Sequence, residues 1–137
     1  MRHWVIDTNV VVSGLLSPQG PSARVLDAIL DGRLKLVYDA RILAEYRDVL
    51  RRPRLKLAPA KIQAFLKGVL GQTMVVPQPV TVDAPDVDDI VFVEAALATI
   101  DKTIVTGNLA HYPAEILQGV RVLTPAQAVA ELSSLRP

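Results

Sequence analysis

The sequence predicts an α/β protein with a mostly parallel sheet covered by helices on both faces. Three observations carry this. Short apolar runs of the kind that form buried strands recur along the chain. Segments with apolar residues at helical spacing lie between them. Strand and helix alternate almost from end to end, an order that short connections satisfy with parallel strands.

His3 to Ile6 is the first expected strand, an apolar run that ends on Asp7-Thr8-Asn9. After the turn-rich Ser17-Pro18-Gln19-Gly20-Pro21, residues Ser22 to Leu30 read as a helix, with Asp31-Gly32 as its stop. Leu34 to Tyr38 is the second strand. Ala40 to Arg51 follows as a helix with Ile42, Leu43, Tyr46, Val49 and Leu50 on one face, and Pro53 ends it. Pro59 to Leu70 is a further amphipathic helix, with Ile62, Phe65, Leu66 and Val69 inward. Met74 to Val76 is a short third strand, because Pro77-Gln78-Pro79 can continue neither a helix nor a central strand. Asp86 to Ile100 reads as a helix apolar nearly all round, hence sandwiched in the fold. Thr103 to Val105 and Val120 to Leu123 are strands four and five, and Thr124-Pro125 opens a last helix.

Composition bounds the function. A chain of 137 residues, 50% hydrophobic and 21% charged, is long enough for one domain over residues 1–137 with a real core. The net charge of +1 gives no global field toward nucleic acid, so any such contact must come from a local patch. With no cysteine there is no disulfide framework and no thiolate metal site or nucleophile. No apolar stretch approaches the roughly 20 residues of a membrane span, and the first residues lack the apolar segment of a signal peptide. A cytoplasmic protein without membrane contact is expected.

The acids are the informative part. Asp7 stands where the first strand leaves the core. Glu45 lies mid-helix, three residues past Ile42 and four before Val49, at the border of the apolar face. Asp89 falls in the first turn of the helix before strand four, beside Asp86 and Asp88, and Asn108 follows that strand in Val105-Thr106-Gly107-Asn108. If strands one and four are neighbours, Asp7 and Asn108 meet at the switch point of the sheet, where open α/β sheets bind ligands. Carboxylates gathered there stay ionised together only by sharing a cation. Carboxylate, amide and water oxygens suit Mg²⁺ or Mn²⁺, and such a site favours in-line hydrolysis of a phosphodiester. Each acid also has a plainer role open to it. Asp7 can cap a turn, Asp86, Asp88 and Asp89 can complement a helix dipole, and Glu45 can pair with Arg41.

Four motifs in order resemble PIN-domain ribonucleases, in particular the VapC-like toxins of prokaryotic toxin–antitoxin pairs. They are Val5-Ile6-Asp7-Thr8-Asn9-Val10; Glu45; Asp86-Val87-Asp88-Asp89 running into Phe92-Val93-Glu94-Ala95-Ala96-Leu97; and Ile104-Val105-Thr106-Gly107-Asn108. Leu50-Arg51-Arg52-Pro53 resembles one branch of those toxins. The resemblance implies a three-layer α/β/α fold with strand order 3-2-1-4-5 and Mg²⁺- or Mn²⁺-dependent endonuclease cleavage of RNA. It implies Asp7, Glu45 and Asp89 as metal-binding acids, with Asp88 next in line and Asp86 at a second metal. Asp89 is favoured in its cluster because Leu97 lies eight residues on, the family's spacing. It gives the Thr8 and Thr106 hydroxyls the task of orienting ligands or the attacking water. A homodimer and an antitoxin partner are also implied. One departure stands out. Asn108 occupies the place where many relatives carry a fourth Asp, which keeps an oxygen acceptor, loses a charge and weakens a second metal.

Arg47, Arg51, Arg52, Arg54, Lys56 and Lys61 form a cationic cluster that suits RNA phosphates or, equally, offsets a helix dipole. Tyr38 and Tyr46 suit base stacking, but core packing better. His3 and His111, the only histidines, lack metal-ligand spacing. Phosphoryl transfer to Asp7, as in receiver domains or haloacid-dehalogenase-like phosphatases, lacks its partners. Val76-Pro77 and Leu123-Thr124-Pro125 follow strands three and five, and Asn9 stands where the phosphatases need Asp. The remaining alternative is a catalytically weak or inert module of this fold that binds RNA or a partner protein.

Overall fold

The protein is described from a computed structural model that covers residues 1–80 and 87–134, without the side chains of Val87, Asp88 and Glu115. The expected sites Asp86 and the Asp88 side chain therefore lie outside the described residues. Five parallel strands, β1 (Arg2–Ile6), β2 (Leu34–Tyr38), β3 (Thr73–Met74), β4 (Thr103–Val105) and β5 (Arg121–Leu123), form one sheet in the order β3-β2-β1-β4-β5. This is the expected order. It reverses direction between β1 and β4, which opens a crevice beyond their carboxyl ends.

Trp4, Val5 and Ile6 in β1 and Leu36 and Val37 in β2 are all fully buried. Both faces of these strands are covered, which is why the sequence shows continuous apolar runs instead of alternation. Helices α2 (Pro21–Leu30), α5 (Val87–Leu97) and α7 (Pro125–Ser134) pack on the sheet, α5 reaching β1, β2 and β4. The remaining helices are α1 (Thr8–Leu16), α3 (Ala40–Leu50), α4 (Pro59–Leu70) and the short α6 (Ala114–Leu117). Helix α7 starts as the Thr-Pro pattern predicts. The Thr124 hydroxyl accepts from Gln127 N (3.1 Å), and Gln127 Oε1 accepts from Thr124 N (2.9 Å), a reciprocal cap.

Two elements differ from expectation, and one was not assigned. Helix α1 covers residues for which the sequence named no element, and its Val10-Val11-Val12 run is β-branched and a weak helix former. Burial of Val10 and Val11 and a cap from Asp7 outweigh that weak propensity. Strand β3 is Thr73–Met74, not Met74–Val76, although Val75 N still donates to Tyr38 O (2.9 Å). Helix α5 stops at Leu97, where Ala98 N and Thr99 N turn back to Ala95 O and Ala96 O.

Candidate functional site

The crevice is built from the end of β1. Asp7 N still donates to Val105 O (2.9 Å), so the ladder with β4 runs one residue past the strand, and the chain then turns directly into α1. Asp7 is the N-cap of that helix: its Oδ1 accepts from Asn9 N, at a long 3.4 Å. Its other oxygen is held more firmly. Oδ2 accepts from the Thr106 hydroxyl (2.9 Å) and from the Tyr112 hydroxyl (2.7 Å). The helix cap and the two hydroxyl donors thus fall to different oxygens of one buried carboxylate.

Thr106 is itself fully buried. Its hydroxyl gives its proton to Asp7 and accepts from Asn9 Nδ2 (3.3 Å) and Asn108 N (3.1 Å). This makes it a clamp on Asp7, and leaves no hydroxyl proton for an incoming water. Gly107 closes the same knot: its N–H donates to Asn9 Oδ1 (2.9 Å), and a Cβ there would stand 3.2 Å from that oxygen.

Glu45 comes to the crevice on α3. Asp39 caps this helix at both Arg41 N (2.9 Å) and Ile42 N (3.0 Å). Tyr46, fully buried, donates to Ile6 O (2.5 Å), one residue before Asp7, and so ties the middle of α3 to the end of β1. Its ring packs edge-on to Phe65, which settles it as a core residue; Tyr38 is buried too. Glu45 accepts from the Thr8 hydroxyl through Oε2. The pairing expected as its alternative does not form: Arg41 goes to Asp39 (2.9 Å) and Glu94 (2.8 Å).

Asp89 sits in the first turn of α5, 7% exposed. Asp7, Thr8, Glu45 and Asp89 line one open cavity of about 640 Å³, with Arg52, Arg54 and His111 on its wall. Asn108 does not join the acids directly. Its Nδ2 lies within hydrogen-bond distance of His111 Nε2 (2.9 Å), and the Nδ1 of that ring lies 3.9 Å from Asp89 Oδ2.

Electrostatics report the same convergence. The Tyr112 hydroxyl is pushed well above the ordinary tyrosine range, first by burial, then by the charge and hydrogen bond of Asp7, and further by Asp89 and Glu45. Burial raises Tyr46 as well, followed by the charges of Asp7, Glu45 and Asp39. Tyr112 was not singled out from the sequence. It follows β4 by seven residues in an irregular stretch, and only the fold brings it to Asp7.

Among the described residues, no three carboxylates or imidazoles stand close enough to make a metal site by direct contact alone. The donor chemistry nonetheless fits a hard cation. Mg²⁺ keeps several waters and takes protein oxygens through one or two carboxylates, and Asp7, Glu45 and Asp89 offer only oxygen donors around an open cavity.

No curated protein matches the chain as a relative. The family model described as the PIN domain matches residues 3–110, which spans β1 to the segment after β4 and includes Asp7, Glu45, Asp89 and Asn108. PIN domains are generally nucleases, acting on RNA or DNA with divalent metal ions. This chain belongs to the PIN domain family.

Proposed function

We propose that the chain is a Mg²⁺- or Mn²⁺-dependent endoribonuclease with Asp7, Glu45 and Asp89 as its metal-holding acids. The observation that supports this most is the shared cavity: three carboxylates, one just past β1 and the others on α3 and α5, line one opening at the switch point of the sheet, beside two arginines. Asp86 and Asp88 extend the acidic set in this reading.

A bound divalent cation supplies polarisation of the phosphate and activation of a water. The chain's own groups do the rest. Thr106 and Tyr112 fix one oxygen of Asp7 and so orient the other. The Thr8 hydroxyl holds Glu45. Arg52 and Arg54 draw the polyanion toward a cavity whose carboxylates would otherwise repel it. Asn108 and His111 act together, the amide aligning the imidazole toward Asp89.

The toxin role, an antitoxin partner, a homodimer and a cytoplasmic setting belong to the same proposal and draw on the motif resemblance. Among the described residues no helix is long and apolar enough to cross a membrane.

Cleavage of a mixed structured RNA by the purified chain tests the reading, with Mn²⁺ or Mg²⁺, with EDTA, and with Asp7→Asn and Asp89→Asn prepared identically. Cleavage that needs metal and both acids is the expected result. Cleavage persisting in both variants means another site or a contaminant, and no cleavage by the parent favours the non-catalytic binding module.

A further inference from the structure

Beside the acid cavity lies a second, smaller cleft of about 310 Å³, between the carboxyl end of α3, the 3-10 turn Pro53–Leu55 and the start of α4. Its lining divides in two. Leu50, Leu57, Pro59 and Ile62 are apolar, while the cationic Arg51, Arg52 and Lys56 line the same opening. Arg52 lines both this cleft and the acid cavity, so the two adjoin.

The charge here is concentrated. Between Asp48 and Asp83 the sequence has no acid, yet it holds Arg51, Arg52, Arg54, Lys56, Lys61 and Lys67, in a chain of net charge +1. Several arginines outside this segment are paired: Arg41 with Asp39 and Glu94, Arg121 with Glu131, Arg33 with Asp31. Arg51, Arg54 and Lys56 have no carboxylate partner among the described residues, and Arg52 has only a loose exposed contact with Asp48 (3.6 Å). Offsetting the α3 dipole calls for a cation in its last turn, and Arg47 already stands there. Lys56 further holds a left-handed backbone (φ 53°), unusual for a residue with a side chain.

Resting on the nuclease reading above, we infer that this cleft is a subsite for one nucleotide of the RNA substrate next to the scissile phosphate. Leu57 and Pro59, backed by the buried Leu50 and Ile62, take one face of an unstacked base. Gln63, also on the lining, offers an amide donor and acceptor to the base edge. Arg51 and Lys56 take the flanking phosphate, and Arg52 carries the backbone across to the acids.

The test separates binding from cleavage. A fluorescein-labelled single-stranded oligoribonucleotide is titrated in EDTA against the parent, Arg51→Ala with Lys56→Ala, Gln63→Ala, and Arg24→Ala as an exposed cation outside the cleft. The same RNA carrying 4-thiouridine is photo-crosslinked and the attachment mapped. The double variant is expected to bind about tenfold or more weakly, with the salt slope reduced by about 0.7 for the one phosphate no longer neutralised. Gln63→Ala is expected to change base preference but not the salt slope, Arg24→Ala to change neither, and crosslinks to fall within residues 50–63. Parent-like binding by the double variant, or crosslinks only elsewhere, overturns the subsite even if the chain cuts RNA. Cleft-dependent binding without metal-dependent cleavage keeps the subsite and removes the nuclease reading. Equal competition by single-stranded DNA or duplex RNA overturns the inferred ligand.

Discussion

Tyr112 donates its hydroxyl proton to Asp7 Oδ2 at 2.7 Å, and the two residues lie 105 positions apart in the chain. Thr106 donates to the same oxygen. Two donors on one carboxylate oxygen define its orientation better than either alone. Tyr112→Phe is expected to cost about 1 kcal/mol of stability, the usual net worth of a buried hydrogen bond, and to lower cleavage. Thr106→Val should do the same, and the double variant should lose more than the sum, because Asp7 Oδ2 is then buried without either donor. Thermal melts and cleavage rates over this cycle check it; additive losses would mean that the two hydroxyls do not share a task.

The ionisation of Tyr112 and Tyr46 gives a pH test. Burial and the surrounding carboxylates raise both folded-state values. An unfolded tyrosine ionises near pH 10. Below that pH both states keep the proton and stability is unaffected; above it the unfolded chain loses protons that the folded chain retains, so stability falls as pH rises. Phenolate absorbance should therefore show Tyr112 and Tyr46 silent until the chain unfolds in alkali. Their ionisation at pH 10 in a still-folded chain would contradict the buried, carboxylate-surrounded setting.

Helix α1 depends on Gly14. A Cβ there would lie 2.6 Å from Leu26 Cδ1 and 3.0 Å from Ser22 O. Leucine can shift, but a backbone carbonyl inside α2 cannot move cheaply. Gly14→Ala gains up to about 1 kcal/mol of helix propensity against about 1–3 kcal/mol for overpacking, so net destabilisation is expected in a denaturant titration. A more stable variant would show that α1 and α2 can separate without cost.

Asn108→Asp would add a charge where Asn108 now aligns His111. If the missing charge limits a second metal, the variant should bind more Mn²⁺ per chain in calorimetry. It should also lose the present amide contact with the imidazole. Unchanged stoichiometry would show that His111 and Asp89 alone decide what binds there.

Most of the fold was legible because its strands are buried on both faces and its longer helices keep a clear apolar stripe. Leu34 to Tyr38, Pro59 to Leu70 and Thr103 to Val105 appear where periodicity puts them. Helix α1 was not legible, since its three consecutive valines speak for a strand and only burial and the Asp7 cap override them. The acids and their gathering at one edge of the sheet were legible from the strand order and the motif resemblance. The Tyr46–Ile6 bond that sets α3 against β1 was not, because nothing in the spacing pairs those two residues. Tyr112 and the Asn108–His111 pair were hidden for a related reason: the segment after β4 has no periodicity, and its side chains gain meaning only where it folds back over Asp7 and Asp89.

The most direct measurement is Mn²⁺ affinity, read from the electron paramagnetic resonance of free Mn²⁺, for the parent, Asp7→Asn, Glu45→Gln, Asp89→Asn and the exposed control Asp27→Asn. The account expects saturable binding by the parent, at least about tenfold weaker binding in each of the three site variants, and no change in the control. Uptake by the three variants equal to that of the parent would contradict the claim that these carboxylates form one metal-holding site.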